Sequence, residues 1–137
     1  MGNQQILLII LGMIIVGVAV TVAIILVNEN AVTANRDALA ADLLNLSVKV
    51  QQYYNTPASM AGGGHSYIGL TADPAGMARL VSTAFSNNGN GVYTIRTAGT
   101  STQIVLEAVG NVELSDGTFP TLSCIIRPGN ATVTIEN

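Results

Sequence analysis

Residues 6–27 read ILLIILGMIIVGVAVTVAIILV, 22 positions without a charge, interrupted only by Gly12, Gly17 and Thr21. As a helix this run is ~33 Å long, close to the ~30 Å hydrocarbon core of a bilayer. Fully burying one large aliphatic side chain is worth ~1.5–3 kcal/mol, so the run in water would cost on the order of tens of kcal/mol. It requires an apolar home, either lipid or other helices. The rest of the composition points the same way. The 5 basic and 8 acidic residues all lie from Glu29 onward, and 9% charged compares with roughly 25% in a typical soluble protein. A surface so poor in charge fits a chain that meets neighbours over much of its area.

A secretory signal fits this run poorly, because such a signal carries a basic segment followed by 7–15 apolar residues. Here no Lys or Arg precedes Arg36, and the run is longer. A plain single-pass anchor satisfies the apolar segment but leaves the next one unexplained. Beyond Asn28 no Pro or Gly intervenes until Pro57, and Val32, Leu39, Leu43, Leu46, Val50 and Tyr53 recur near a heptad period. Arg36, Asp37, Asp42, Asn45, Lys49 and Gln52 occupy the opposite, polar side. One helix is therefore expected from about Gln4 to Tyr54, ~75 Å long, apolar all round in its first half and on one face in its second. Residues 1–28 form the apolar part; residues 29–137 form a head, with its helical half at 29–55, a loop and short helix at 56–91, and a sheet at 92–137.

Asn55 to Gly64 is rich in helix breakers and ends the long helix. Asp73 before Pro74 is an N-cap and a first-turn proline, predicting a helix to about Phe85 with Met77, Leu80, Val81 and Phe85 inward. Asn87-Asn88-Gly89-Asn90-Gly91 stops it. The period then becomes two. Residues 92–97 and 103–109 are β-rich runs joined by a turn, and 119–127 and 131–136 flank Arg127-Pro128-Gly129-Asn130, where Pro then Gly signals a type II turn. The expected fold is α+β: a long N-terminal helix packed on a small antiparallel sheet of four strands.

Catalytic and ligand-binding chemistry finds little support. The net charge of −3 and five scattered basic residues argue against nucleic-acid binding. Gly62-Gly63-Gly64 before His65 reads as a flexible loop and lacks the Lys-Ser/Thr of a phosphate loop. His65 and Cys124 are each single, no flanking signature marks a Cys–His pair, and Cys124 sits in an apolar run as a small buried residue. The carboxylates are scattered, and Asp116-Gly117 is a turn. No enzyme activity, metal or cofactor is expected. The aromatic residues, Tyr53, Tyr54, Phe85 and Phe119 among them, read as head core and helix–head packing. Asn45 and Asn130 head N-x-Ser/Thr triplets, which also arise by chance in such a chain. Asn130, in a turn, is the better acceptor for a glycan, and residues 97–102 form an exposed hydroxyl-rich loop.

An uncharged apolar helix (QQILLIILGMIIVGVAVTVAIIL), an amphipathic continuation to Tyr54 and a small antiparallel sheet together resemble a type IV pilin or pilin-like subunit. The resemblance implies a non-catalytic subunit held in the cytoplasmic membrane before assembly. Pilus assembly machinery would then extract it into an extracellular helical homopolymer serving adhesion, motility or attachment. Its assembly core would comprise Ile6, Leu7, Leu8, Ile9, Ile10, Leu11, Gly12, Ile14, Ile15, Gly17, Val18, Val20, Ile24 and Ile25. It also implies that Met1, Gly2 and Gln5 are the candidates for processing or N-terminal contact. Gly2 is the one glycine placed to precede a leader cut, and Gln5 stands where such subunits usually carry Glu. The amide of Gln5 would hydrogen-bond a neighbour's amino terminus without adding charge. The family's usual mid-helix proline is missing, and a loop closed by a disulfide is impossible with one cysteine. Two further readings share the sequence features: a pseudopilin or minor pilin of a secretion or DNA-uptake machine, and a single-pass membrane-anchored binding module.

Overall fold

The computed structural model describes residues 2–137. Helix α1 spans Gly2–Asn55 and is followed by a single 3₁₀ turn at Ala58–Met60 and two short helices, α2 (Pro74–Ala78) and α3 (Thr83–Ser86). Strands β1 (Gly91–Thr97), β2 (Ile104–Gly110), β3 (Thr121–Arg127) and β4 (Asn130–Ile135) complete the α+β chain. The expected long helix, short helical segment and four strands are present in that order. Two compact units divide between Ala31 and Val32.

Among the described residues, the first unit consists of the first part of helix α1, up to Ala31. Every described side chain from Gly2 to Ala31 is exposed. Gly12 and Gly17 have nothing within 4 Å of the position a Cβ would take, and no proline interrupts the hydrogen-bonded ladder.

The second unit, Val32–Asn137, contains the core. The seven-, four- and three-residue spacing along α1 puts Leu39, Leu43, Leu46, Val50 and Tyr53 on one face, and all are buried. They pack on the inward side chains of the sheet: Tyr93 and Ile95 from β1, Ile104, Leu106 and Ala108 from β2, and Leu122, Cys124 and Ile126 from β3. The sheet is an antiparallel meander in the order β1-β2-β3-β4. Alternate residues of β2 are fully buried while those between them are half-buried, the pattern of a sheet covered on one face. Pro128 and Gly129 join β3 to β4 with Arg127 paired to Asn130, and Gly129 takes φ +75°, as the predicted turn requires.

The end of α1 explains the triglycine. The backbone N–H of Gly63 donates to the carbonyl of Tyr53 at 2.8 Å, and that of His65 to Tyr54 at 2.8 Å, so carbonyls left open by the last helical turn are satisfied. A Cβ on Gly63 would lie 1.9 Å from the Ser66 carbonyl oxygen. The run expected as a flexible loop is instead packed closely on the helix end.

The segment expected as one helix from Pro74 to Phe85 is two. Asp73 caps α2 as predicted, its carboxylate accepting from the Gly76 N–H at 2.8 Å. After α2 the chain is extended at Ser82 (φ −68°, ψ 157°) and restarts as α3. Ser favours the position before a first helical turn, and the β-branched Val81 and Thr83 beside it add little helix propensity. Met77 is buried, and Leu80, Val81 and Phe85 still pack against the core.

Candidate functional site

Two features of the chain carry functional information: the first half of α1, and the polar contacts that hold the head together. In residues 6–27, 17 large apolar side chains are each at least half exposed, from 50% at Val22 to 73% at Met13. They surround the helix, so no rotation of it could hide them in water. Thr21 is the one polar side chain of the run, and its hydroxyl donates to the carbonyl of Gly17 at 2.9 Å. The helix thus satisfies its own hydroxyl and presents an unbroken apolar surface. At ~1.5–3 kcal/mol for full burial of each side chain, covering what is exposed is worth on the order of 15–30 kcal/mol. That exceeds the ~5–15 kcal/mol that holds a typical domain folded, so an apolar surrounding is a condition of the chain's existence. By length and composition alone this helix is capable of crossing a membrane.

Every residue assigned to the assembly core from the sequence lies on this exposed surface. Gly2 opens α1 and Gln5 is exposed one turn later; Met1 lies outside the described residues. Asn45 is exposed on α1, and Asn130 is exposed at the start of β4.

In the head, Asp42 anchors the loop between α3 and β1. Its Oδ2 accepts from the Tyr93 hydroxyl at 2.6 Å, from Asn90 Nδ2 at 2.9 Å and from Asn88 Nδ2 at 3.2 Å. Burial alone would raise the Asp42 pKa, but the three hydrogen bonds outweigh it and hold the carboxyl below its ordinary 3.8. Tyr93 is pushed well above 10.0, first by burial and then by the adjacent carboxylate. Asn35, about two turns before Asp42 and nine-tenths buried, donates from Nδ2 to the Asn90 carbonyl at 2.8 Å. Its Oδ1 has no hydrogen-bond partner among the described residues and is pressed on Gly110, where a Cβ would sit 2.1 Å away. Helix, loop and first strand are thus fastened through asparagine amides. Asp42, expected on the polar side of α1, and Asn87–Gly91, expected only as a helix stop, meet here, a contact that no local sequence signal marks.

The outer face of the sheet carries a second polar group. Arg96 pairs with Glu107 at 3.5 Å and also with Glu136. The register slips between Ile95 and Thr97, so Arg96 sits in a bulge that re-aims its side chain across the sheet. Ser123, opposite Glu107 on β3, is buried there despite facing outward.

No protein-family model, curated protein or solved structure matches the chain. Function must therefore be read from its residues. Among the described residues no three of His, Cys, Asp and Glu are grouped to hold a metal ion. Cys124 is fully buried, and burial pushes its thiol up to about 11, leaving it a poor nucleophile where it stands. His65 is exposed, with its ring edge-on to Tyr54 at 5.4 Å. Asp116 accepts from the backbone and hydroxyl of Thr118 at 2.9 and 2.7 Å, closing a turn. Tyr53, Tyr67 and Tyr93 are core residues as expected, whereas Phe119 is 43% exposed and is not. It precedes the buried Pro120, whose carbonyl accepts from the Gly110 N–H at 2.8 Å. That anchor holds the proline rather than the phenyl ring against the head.

Proposed function

We propose that this chain is a structural, non-catalytic subunit of an extracellular helical filament of the type IV pilus kind. One observation carries the reading: a single helix whose residues 6–27 are apolar on every side continues into a helix that packs on its own sheet along one face. A lipid anchor needs only the first of these. In the filament reading the apolar residues sit in lipid before assembly and among the same residues of neighbouring copies afterwards. Gly12 and Gly17, open on the helix surface, allow neighbouring backbones to approach. Identical head-to-tail contacts between copies generate an open helical polymer. The partners are then the chain itself, the cytoplasmic membrane and a machine that extracts the subunit. The cell surface is its destination.

The test is to place a charge in the proposed core. An unpaired ammonium buried in an apolar bundle costs several kcal/mol per subunit, and the cost repeats along a polymer. Ile14→Lys and Val18→Lys are expected to abolish fibres sheared from cells while the subunit still accumulates in membranes with a folded head. Wild-type fibre yield from either variant would remove residues 6–27 from the core.

A further inference from the structure

Of the five basic residues, three are engaged within the head. Arg36 donates to the carbonyl of Asn137 at 3.2 Å, Arg96 pairs with Glu107 and Glu136, and Arg127 donates to Gln103 at 3.3 Å. The side chains of the other two, Lys49 and Arg79, have no hydrogen-bond or ion-pair partner among the described residues, and both line one recess of about 250 Å³. Lys49 comes from α1 and Arg79 ends α2, so the fold, rather than sequence proximity, brings them to it. None of the eight acidic residues lines the recess. Both side chains are exposed and solvated, and an anion entering the recess would meet two positive charges and no negative one. In a chain of net charge −3 such a grouping is not explained by a general basic surface.

The remaining lining narrows the ligand. Gln52 contributes an amide whose donor and acceptor are unused among the described residues. The Thr56 hydroxyl spends its proton on the Gln52 carbonyl at 2.7 Å and keeps its lone pairs to accept. Met60 and Leu80 supply an apolar edge. Two cationic side chains, hydroxyl-pairing groups and an apolar edge lining one recess together match a pyranose bearing an acidic group. We propose that this recess binds acidic sugars. The carboxylate or phosphate lies between Lys49 and Arg79, ring hydroxyls pair with Gln52 and Thr56, and the C–H face rests on Met60 and Leu80. The site lies within the head and holds whether or not the chain polymerises.

The experiment is amide NMR of the full chain in zwitterionic micelles at constant ionic strength, titrated separately with galacturonate, glucose 6-phosphate, galactose and inorganic phosphate. Saturable shifts confined to Lys49, Gln52, Thr56, Gly62 and Arg79 are expected with the two acidic sugars, and none with galactose. Lys49→Gln and Arg79→Gln, at unpaired positions and so neutral for folding, should each weaken binding by roughly tenfold or more, the loss of one charge-assisted hydrogen bond. Shifts that never saturate, that sodium chloride reproduces, or that survive both substitutions would overturn the site. Equal binding of inorganic phosphate would remove the sugar from the assignment.

Discussion

The two halves of α1 obey the same backbone chemistry and meet opposite fates. From Val32 onward the large apolar residues keep to one face and disappear into the sheet, with Leu39, Leu43, Leu46 and Val50 at zero exposure. Up to Ala31 they occupy every face and none is buried. Period, not hydrophobicity, separates them: a stripe can be closed by one sheet from the same chain, but an all-round apolar cylinder needs an apolar surrounding, lipid or protein, on all sides. The head therefore buries its stripe within one copy of the chain, and the apolar helix leaves its surface uncovered.

That contrast can be broken by making one substitution twice. Leu43→Ala empties a buried site and is expected to cost about 2–5 kcal/mol of head stability. Leu8→Ala, in the same helix, should change that stability by less than about 0.5 kcal/mol. Denaturant unfolding of the detergent-solubilised chain, followed by near-ultraviolet dichroism of its tyrosines, measures both. A comparable loss from Leu8→Ala would show that the exposed half supports the head.

A smaller effect sharpens the account of the head. Removing the Asp42 charge weakens three hydrogen bonds to a carboxylate, so Asp42→Asn is expected to cost about 2 kcal/mol near neutral pH. The folded pKa of Asp42 lies below 3.8, so its contribution is complete above that value and is lost as pH falls through the lower, folded one. The gap between wild type and Asp42→Asn should accordingly close in acid. A gap that persists unchanged to pH 2 would mean the carboxylate is not the source. The smallest change is expected at Phe119: despite its size, Phe119→Ala should stay within about 0.5 kcal/mol in the same assay, because the ring is exposed.

Much of this division was legible in the residues themselves. The change of period after Asn28 located the buried stripe, and Pro128-Gly129 located the last hairpin, because both signals are local. The break between α2 and α3 was not, since Met77, Leu80, Val81 and Phe85 keep helical spacing across it and only the extended Ser82 interrupts the chain. The Asp42 anchor was hidden for a different reason. Its partners come from a loop and the strand after it, 46 to 51 residues away, and an aspartate beside a buried stripe looks like any solvated charge until they close over it. The recess at Lys49 and Arg79 was equally silent, being assembled from segments that share no pattern.

The central claim is that residues 6–27 end up covered by copies of themselves. Cryo-microscopy of fibres sheared from cells that produce this chain tests it most directly. The account predicts a helical polymer with residues 6–27 of successive subunits packed in a dry central bundle and the four-stranded heads outside. Fibres built from another protein, with this chain left in the membrane as a monomer, would contradict it.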